Sequence, residues 1–508
     1  MELRQIIEGL SRPGAYPYPV ERVEVRQTHI SVVFLAGDRA FKVKKPVTFP
    51  FLDYGTPELR RHYCEEEVRL NRRWAPDVYL GVVPVTERGG RLSFGGEGEV
   101  VEHAVEMLRL PDEVSLRELV RAGRIDRALI EEAGRRIAGF HARAERFPAD
   151  FDAVARNVRE NLEVGRPAFR GRLSARIESE LERLRPLLER RPACDAHGDL
   201  RLEHVYHFPG RAPPGDWIAI DGIEFNERFR RVDPVADMAF LHMDLIAHER
   251  RDLAGAFADA YFRASGDDEG RALLDFYTSY RAAVRGKVQG LRSLGEEVPA
   301  DERERARRRA RAFWLLALSE LEPPERKPCL ALVAGLPGTG KTTLARALAA
   351  EAGFEVVRSD VVRKERVVAG GLYTPERTRD TYAECLRRAE EILAGGGRAL
   401  VDASFRSGEQ RLGFVRAARD WAVPLVILHC TAPPEAARER LAARQGDASD
   451  ADWAVYLEMA RTWEDLGPAA REIDASGTPA SAVSQALSAL RDAGLLQAAP
   501  ASKRRVIV

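Results

Sequence analysis

The chain has 508 residues, and because a single hydrophobic core stops growing at about 250 to 300 residues, we expect two or three domains. Hydrophobic residues make up 45% of the chain and charged residues 31%, which is the composition of a globular protein and argues against a disordered chain. Lys plus Arg and Asp plus Glu both number 79, so the zero net charge excludes a global basic field for nucleic acid or an anionic membrane, although a local basic groove is compatible with it.

The cysteines and the N-terminal segment bear on the compartment. The 5 cysteines are scattered singly, without the paired spacing of a zinc site or redox motif, which fits a reducing cytoplasm. The first residues, MELRQIIEGLSRPG, carry acidic side chains inside a short apolar run and do not resemble a secretory signal. No stretch approaches the roughly 18 apolar residues of a membrane span. We therefore expect a cytoplasmic protein without a membrane partner, and the sequence carries no signal for an oligomeric state.

The first predicted elements form a small lobe of about residues 1–110. Residues 28–47 predict a strand, a tight turn at Gly37-Asp38 and a second strand. Residues 57–73 have helical spacing, and two further strands are predicted in VYLGVVPV and GEVVEHAVEML. This lobe therefore mixes a hairpin-rich sheet with a helix.

A helical lobe of about residues 111–322 follows, with long Arg, Glu, Ala and Leu segments of helical period. It contains two short β-type segments, CDAHGDLRLEHVYHF and DWIAIDGIEFN. The proline-rich residues 323–328 (PPERKP) predict a linker. Strand-like runs then alternate with helical ones over 329–495, which predicts a parallel sheet covered by helices, and 496–508 form a tail.

Residues 335–342 read GLPGTGKT between an apolar strand and an amphipathic helix, the pattern of a phosphate-binding P-loop. Lys341 would bridge the terminal phosphates, and Thr342 would offer its hydroxyl to Mg²⁺. The predicted nucleotide-binding residues are Gly335, Leu336, Pro337, Gly338, Thr339, Gly340, Lys341, Thr342 and Thr343.

Two further segments of the C-terminal domain carry carboxylates at strand ends. Asp402 ends the apolar run RALVDAS, where it could hold Mg²⁺ through water or merely cap a helix or turn. Asp360 and Arg363 follow the second strand, at the sheet edge where open α/β sheets bind ligands. Asp360 could accept a proton from a substrate hydroxyl, or it could, with Ser359, only cap a helix.

The segments GLPGTGKT, SDVVRK, LVDASF and RERLAARQGDASDA together resemble the small P-loop kinases that include gluconate kinase, zeta toxin and polynucleotide 5′-kinase. The resemblance covers residues 329 to about 490. It implies that Asp360 is the catalytic base, with Arg363 in the same segment, and that Arg440 and Arg444 are lid arginines that stabilise the transferred phosphate. Their alternative role is a solvated helix face.

In the N-terminal half, HGDLRLEH and IAID place Asp199 and Asp221 in neighbouring β-type segments. One carboxylate could orient a hydroxyl nucleophile while the other holds Mg²⁺. These residues resemble the aminoglycoside phosphotransferase and choline kinase branch of the protein-kinase-like fold, over residues 25 to about 290. The resemblance implies a catalytic Asp199, a magnesium-binding Asp221, and a stabilising DPxxDxA stretch that includes Asp233 and Asp237.

The same resemblance calls for a lysine from the early hairpin. Lys42 and Lys44 lie on one strand face because side chains alternate with period two, and either could contact phosphates. Its distance from the hairpin turn favours Lys42. We choose Glu66 as the helix-borne partner, with Glu65 and Glu67 as alternatives.

One position departs from the family motif. Where the motif has Asn as the second metal ligand, this chain has His204, and a neutral imidazole is a poorer magnesium ligand than an amide oxygen. The order of the two halves looks like that of the bacterial bifunctional aminoglycoside phosphotransferase/ATP-binding proteins. The expected fold class is therefore an α+β protein-kinase-like domain followed by an α/β P-loop domain with a parallel sheet.

Three functions compete. The first is a two-domain phosphotransferase in which each half uses ATP (or GTP) and Mg²⁺ to phosphorylate a hydroxyl of a small molecule. The second makes the N-terminal half a pseudokinase or substrate-binding module, for which His204 is the motive. The third is a polynucleotide 5′-hydroxyl kinase, against which the balanced net charge argues.

Overall fold

The structure is a computed structural model that describes residues 2–49, 51–163, 170–213, 215–295, 298–365, 374–443 and 451–497. Contacts between α-carbons divide the chain into two compact units: unit 1 is Met1–Arg159 with Arg183–Arg281, and unit 2 is Glu160–Glu182 with Ala282–Val508. Residues 282–322, assigned above to the N-terminal domain, thus fall in unit 2, and the linker at 323–328 stays a prediction. None of the helices in the described ranges is both long and apolar enough to cross a membrane.

Unit 1 opens with a sheet-rich part. Its elements are α1 (Leu3–Leu10), β1 (Val23–Gln27), β2 (Ser31–Ala36), β3 (Arg39–Lys44), β4 (Thr48–Phe49), β5 (Leu52–Asp53), α2 (Pro57–Asn71), β6 (Tyr79–Arg88), β7 (Arg91–Phe94) and β8 (Glu99–Leu108). Six of the strands form an antiparallel sheet in the order β1-β2-β3-β8-β6-β7. The predicted hairpin of β2 and β3, with Gly37 in the turn at φ 60°, is confirmed.

The two faces of this sheet bury different sets of side chains, as the period of two requires. Val32 and Phe34 of β2 point to one face, where they join a cluster with Phe41. Leu35 points to the other face and packs with Cys64 of α2. Lys42 and Lys44 therefore share the face that α2 covers.

The rest of unit 1 is mainly helical, and three of its helices (α5, α6 and α10) continue into residues assigned to unit 2. Its elements are α3 (Leu116–Arg121), α4 (Arg127–Arg143), β9 (Arg146–Phe147), α5 (Phe151–Glu163), α6 (Arg170–Leu188), β10 (Ala193–Asp195), β11 (Val205–His207), β12 (Trp217–Ala219), α7 (Glu227–Arg230), β13 (Arg231–Val232), α8 (Pro234–Ala247), α9 (Arg251–Ser265) and α10 (Leu274–Arg292). β11 and β12 pair antiparallel, so the start of β11 and the end of β12 lie at the same end of the pair. This pairing brings the loop of Asp199 to the loop of Asp221.

Unit 2 has the predicted α/β architecture. Its remaining elements are α11 (Ala300–Leu321), β14 (Cys329–Ala334), α12 (Lys341–Ala352), β15 (Glu355–Arg358), α13 (Ser359–Glu365), α14 (Pro375–Ala394), β16 (Arg398–Asp402), α15 (Gly408–Asp420), β17 (Leu425–Thr431), α16 (Pro434–Ala442), α17 (Trp453–Arg461), β18 (Ala470–Asp474) and α18 (Pro479–Asp492). The strands form one sheet in the order β15-β16-β14-β17-β18, and every neighbouring pair is parallel. The parallel sheet of the C-terminal domain is therefore confirmed.

The sheet order decides where a ligand can bind in unit 2. Every residue of β14 is buried, because strands flank it on both sides and helices cover the sheet. Val333 of β14 lies opposite Asp402 of β16, so both strands end at the same edge. The chain leaves β14 toward β15 on one side and leaves β16 toward β17 on the other, which opens a crevice at their carboxyl ends.

Candidate functional site

The loop of residues 335–340 joins β14 to α12 in unit 2 and depends on its glycines. Gly338 has φ 79°, and a Cβ there would lie 2.7 Å from the carbonyl oxygen of Ala437 in α16. Gly335 has φ 148°, and a Cβ there would collide with the carbonyl of Cys430. The loop is therefore tightly packed, and only glycine fits these positions without displacing backbone.

Lys341 begins α12, directly after the loop. Its ammonium group donates a hydrogen bond to the carbonyl oxygen of Leu336 at 2.8 Å, and the hydroxyl of Thr339 donates to the same oxygen at 2.8 Å. The lysine thus lies folded over the loop. Thr343, two residues further along the helix, is exposed.

Thr342 and Asp402 meet at the carboxyl edge of the sheet. The Thr342 hydroxyl donates a hydrogen bond to Asp402 Oδ2 at 2.7 Å. Burial raises the pKa of Asp402, while the charge of Lys341, the Thr342 hydrogen bond and Arg358 act in the opposite direction. A buried carboxylate that is under-compensated in this way suits a cation partner, so the two oxygen-bearing side chains fit Mg²⁺.

Asp360 and Arg363 lie beside this pair. Both stand in α13, which starts directly after β15, and Arg363 Nη1 is 3.2 Å from Asp360 Oδ1. The charge of Asp360 contributes to the raised pKa of Asp402. The structure therefore brings Asp360, Asp402 and Lys341 together at one edge of the sheet, as the sequence predicts, and Arg358 joins them at 3.6 Å from Asp402.

Of the two predicted lid arginines, Arg440 lies within the described residues. Arg440 is half-buried in α16 and donates a hydrogen bond to the carbonyl oxygen of Ala475 at 2.7 Å, so it does not lie on a solvated helix face. Because α16 also contacts Gly338, Arg440 lies on a helix that packs against the loop. Arg444 lies outside the described residues.

In unit 1, Lys42 lies between two carboxylates. Its ammonium group is 2.8 Å from Glu67 Oε1 and 2.5 Å from Asp221 Oδ1. The choice of Glu66 as its partner is therefore wrong: Glu66 faces away and pairs with Arg69 at 2.7 Å. The reason is helical register, since Glu67 shares the buried face of α2 with Cys64 and Glu66 does not.

Lys44 is fully buried and has other partners. Its ammonium group is 2.7 Å from Glu67 Oε2 and also binds Glu224, which accepts a hydrogen bond from Tyr54. A phosphate could not reach this ammonium group, so the assignment of Lys44 to nucleotide binding is corrected. Lys42, whose side chain is 11% exposed, is the lysine that the structure places at the site.

Asp221 follows β12 and has a constrained backbone. Its φ of 64° is rare for a residue with a Cβ, and its backbone N–H donates to the hydroxyl of Tyr79 at 2.9 Å. Burial acts to raise its pKa, but the charge and hydrogen bond of Lys42, together with His204 and Arg201, outweigh burial and hold the pKa of Asp221 well below its usual range. The carboxylate is therefore ionised, and because the side chain is 45% exposed, it is accessible to a cation.

The loop that carries Asp199 is held in place by hydrogen bonds to Asp237 in α8. Asp237 Oδ1 accepts a hydrogen bond from the Gly198 N–H at 2.7 Å, and Oδ2 accepts one from the His197 N–H at 3.1 Å. His141 of α4 lies 3.0 Å from the same carboxylate. Asp233 caps α8 and binds Arg191. Both acidic residues of the DPxxDxA stretch are thus structural.

Asp199 and His204 are neighbours in the structure. His204 Nδ1 is 2.8 Å from the carbonyl oxygen of Asp199, and His204 Nε2 is 3.5 Å from Asp221 Oδ2. Burial, aided by the charge of Arg201, lowers the pKa of His204, so the imidazole is neutral. Arg201 donates from Nε to both carboxylate oxygens of Asp199 at 3.0 Å.

Metal binding in either unit would need ligands from the nucleotide. Within the described part of the chain, no group of three or more His, Cys, Asp and Glu side chains is arranged to hold a metal ion by itself. Asp221 in unit 1 and Thr342 with Asp402 in unit 2 offer one or two oxygens each, which suits Mg²⁺ because it usually keeps several waters and binds through substrate phosphates.

Sequence reasoning missed four residues that contact the predicted site residues, and it offered Glu67 only as an alternative to Glu66. One signal could have found one of the four, because Arg201 lies inside the HGDLRLEH segment. No local signal marks the others, because long-range packing alone brings them to the site. The four are His141, Arg201, Glu224 and Arg358.

Comparisons with known proteins cover both units. The chain is 33% identical over 500 residues to the uncharacterized protein Rv2004c of Mycobacterium tuberculosis, and the match covers 93% of this chain and 96% of the relative. The uncharacterized protein Mb2027c of Mycobacterium bovis matches with the same values. Residues 330–466 match the family model described as an AAA domain.

Two solved structures match about a third of the chain. An unliganded sugar kinase from Janibacter sp. is 20% identical, with a TM-score of 0.28, and the match covers 34% of this chain and 99% of that chain. A gluconokinase from Sinorhizobium meliloti is 19% identical, with a TM-score of 0.27, and the match covers 33% and 94%. These TM-scores are too low for either likeness to bear on function.

Proposed function

We propose that this chain, which belongs to the same family as the uncharacterized mycobacterial proteins Rv2004c and Mb2027c, is an ATP- and magnesium-dependent phosphotransferase that acts on a hydroxyl group of a small molecule. The observation that carries the proposal is the Thr342 hydroxyl bound to Asp402 at 2.7 Å, next to Lys341 and its glycine-rich loop. The AAA domain match over 330–466 supports nucleotide binding in the same unit.

The reaction assigned to unit 2 is phosphoryl transfer to an alcohol. Asp360 takes the proton of the acceptor hydroxyl, the acceptor oxygen forms a bond to the γ-phosphorus, and the bond from this phosphorus to the β,γ-bridging oxygen breaks. Lys341, with Arg363 and Arg440, stabilises the negative charge of the transferred group. When bound, Mg²⁺ would neutralise phosphate charge, and Thr342 and Asp402 would hold it.

Unit 1 is assigned a second site of the same chemistry. Lys42, held between Glu67 and Asp221, would bind nucleotide phosphates, and Asp221 would hold Mg²⁺. Asp199, on the loop fixed by Asp237, would orient the acceptor hydroxyl. Three carboxylates thus have three different roles: Glu67 holds the lysine, Asp221 would hold the metal ion, and Asp199 would orient the acceptor. This division supports a kinase-like site.

A second candidate function is favoured by Arg201. Because this guanidinium binds both oxygens of Asp199, unit 1 could bind nucleotide without transferring phosphate and regulate unit 2. The two candidates differ in what Asp199→Asn does: it abolishes one phosphorylation activity in the first and leaves all activity intact in the second.

The test uses the full chain with γ-labelled ATP, Mg²⁺ and a pool of cellular metabolites. Nucleotide stoichiometry is measured by equilibrium dialysis on the wild type, Lys341→Ala, Lys42→Met and the double variant, with Lys327→Ala as the matched lysine control. We expect two bound nucleotides in the wild type, one in each single variant and none in the double variant. If Lys341→Ala leaves nucleotide binding unchanged and no metabolite is labelled, the proposal fails.

A 5′-hydroxyl oligonucleotide at two salt concentrations serves as a competing acceptor in the same assay. Labelling of the oligonucleotide that falls steeply with salt would favour a polynucleotide kinase, because phosphate contacts make nucleic-acid binding salt-dependent. We expect label in the metabolite pool and none in the oligonucleotide.

A further inference from the structure

Arg201 occupies the centre of the candidate site in unit 1. Its side chain is 11% exposed, and its Nε donates to both oxygens of Asp199 at 3.0 Å. Its Nη2 is 3.0 Å from His204 Nε2, and its Nη1 donates to Glu203. Asp199, Glu203 and His204 therefore hold the guanidinium in place, and Asp199 is the carboxylate assigned to orient the acceptor hydroxyl.

The hydrogen bonds of His204 decide which of its nitrogens is free to bind a metal. Nδ1 lies 2.8 Å from the carbonyl oxygen of Asp199, and because a carbonyl can only accept, Nδ1 must carry the proton. The remaining lone pair, on Nε2, accepts from Arg201. His204 therefore has no lone pair left for Mg²⁺, which in any case prefers oxygen ligands.

We infer that Arg201 supplies, from the chain itself, the positive charge that a second magnesium ion supplies in two-metal kinases, so that unit 1 binds nucleotide with a single divalent cation held at Asp221. The inference rests on the proposed nucleotide site of unit 1 and specifies its cation content. A guanidinium suits this role because it is always charged and its planar donors match phosphate oxygens.

The geometry leaves Arg201 able to bind phosphate while it stays in place. A guanidinium has five N–H donors, and the contacts to Asp199, Glu203 and His204 use three of them. Two N–H groups, one on each Nη, remain for phosphate oxygens. His204 Nε2, which Arg201 contacts, lies 3.5 Å from Asp221 Oδ2, so the guanidinium lies next to the expected metal position.

The charge of Arg201 is also not cancelled by Glu203. Arg117 approaches Glu203 Oε2 at 2.5 Å from the other side, so this carboxylate is shared by two guanidinium groups. Asp199 is the remaining carboxylate bound to Arg201, and it would otherwise repel the phosphates of a nucleotide. A cation beside it lowers this repulsion without a metal ion.

The experiment counts divalent cations per nucleotide in the full chain. Lys341→Ala serves as the background, so that the counted nucleotide is the one in unit 1, and the probe is Mn²⁺ with a non-hydrolysable ATP analogue. Bound Mn²⁺ is counted by electron paramagnetic resonance, and nucleotide affinity is measured by titration calorimetry. We expect one Mn²⁺ per bound nucleotide.

Three further variants in this background examine the residue itself. Arg201→Met should weaken nucleotide binding about 10- to 100-fold, the scale of lost hydrogen bonds to a charged group, and keep the count at one. Arg201→Met with His204→Asn should bind a second Mn²⁺ and recover affinity as Mn²⁺ rises. Arg121→Met, the control, should change neither the affinity nor the count, because Arg121 pairs with Glu118 at the surface.

Two Mn²⁺ ions per nucleotide in the background protein, unchanged affinity in Arg201→Met, or a single ion in the Arg201→Met/His204→Asn variant would each overturn the inference and leave the proposed function intact. Failure of the background protein to bind any nucleotide would instead remove the proposed site of unit 1, and this inference with it. The count in the background protein requires no change at Arg201, so a misfolded variant does not affect it.

Discussion

The carboxylate of Glu67 accepts a hydrogen bond from Lys42 at 2.8 Å through one oxygen and leaves its second oxygen to another lysine. The second oxygen lies 2.7 Å from the ammonium group of Lys44, which is fully buried. One carboxylate of α2 thus fixes two neighbouring positions of β3. The arrangement joins the helix, the strand and, through Lys42, the loop of Asp221.

Glu67→Ala should destabilise the chain much more than Glu66→Ala. Glu67 is buried, and its removal leaves two ammonium groups short of a partner, a change that costs about 3 to 5 kcal/mol in buried ion pairs. Glu66 pairs with Arg69 at the surface, where such pairs contribute about 0 to 1 kcal/mol. The free energy of unfolding in urea measures both changes. Equal effects of the two substitutions would contradict the assignment of Glu67.

The register of α2 shows how far the sequence leads. A helix over 57–73 was predictable, because its spacing is local, and the structure has it over Pro57–Asn71. Three consecutive glutamates do not by themselves reveal which one faces the sheet. The apolar positions Cys64 and Val68 place Glu66 on the opposite side of the helix but lie at equal angles to Glu65 and Glu67, so the packing of α2 against the sheet decides for Glu67.

Strand β18 marks a second limit. The first four strands of the parallel sheet were predicted from apolar runs, whereas Ala470–Asp474 reads AREID, in which charged residues outnumber apolar ones and Ile473 is the one buried residue. It lies at the edge of the sheet, paired on one side by β17. An edge strand needs little apolar sequence, so its pairing was not visible in the pattern.

The P-loop was predicted residue by residue because phosphate binding fixes both its composition and its context, whereas the contacts of unit 1 were not. Arg201 and Glu224 bind site residues through side chains whose partners come from distant segments. Lys44 and Glu224, for instance, are separated by 180 positions in the chain. Local pattern carries no information about such pairs.

Asp237→Asn should weaken the hydrogen bonds that hold the loop of Asp199, and it should make the free energy of unfolding less dependent on acidic pH. The carboxylate now accepts hydrogen bonds from the N–H groups of Gly198 and His197, and in the variant an amide NH₂ group would face one of these two donors. The loss of a buried charged acceptor costs about 2 to 3 kcal/mol of stability at neutral pH. Burial acts to raise the pKa of Asp237, but the hydrogen bond from His141 and the positive groups around the carboxylate (His141, His197 and Arg281) together outweigh burial and lower the pKa to about 2.

The sign of the pH dependence follows from this lowered pKa. A carboxylate with a folded pKa below its unfolded value of about 4 stabilises the fold above that value, and the contribution is lost as the pH falls toward about 2. The wild type should therefore lose about 2 kcal/mol of stability from this group between pH 5 and pH 2, and Asp237→Asn should lose none of it. Chemical unfolding at several pH values measures the difference. Asp268→Asn, an exposed control, should follow the wild type.

Gly338→Ala and Gly353→Ala form a matched pair in unit 2. Both glycines have positive φ, at 79° and 66°, so each alanine costs about 1 to 2 kcal/mol of backbone strain. A Cβ at Gly353 meets open space, whereas one at Gly338 would lie 2.7 Å from Ala437 O. Thermal unfolding should show a similar or larger loss for Gly338→Ala, and only that variant should lose nucleotide affinity, by at least tenfold on the scale of about 1.4 kcal/mol. Equal affinity in both variants would show that the contact with α16 is not required for binding.

Asp402→Asn should abolish metal-dependent nucleotide binding in unit 2 and yet stabilise the protein without nucleotide. Burial raises the pKa of Asp402, so ionisation in the folded state is unfavourable when no cation is bound. Between the unfolded pKa, about 4, and the raised folded pKa, the folded chain binds the extra proton, and stability falls as the pH rises through that window. Asparagine keeps an oxygen that can accept from Thr342 and removes the charge.

The free energy of unfolding should therefore be larger for Asp402→Asn than for the wild type at pH 7.5, with the difference vanishing below about pH 4, where both side chains are neutral. Adding Mg²⁺ and ATP should reverse the order, because the bound nucleotide stabilises only the protein that binds it. Asp420→Asn, on the exposed end of α15, should change neither quantity. A variant at position 402 that is less stable than the wild type without nucleotide, at every pH, would mean that the Asp402 charge is compensated by the chain itself and is not reserved for a cation.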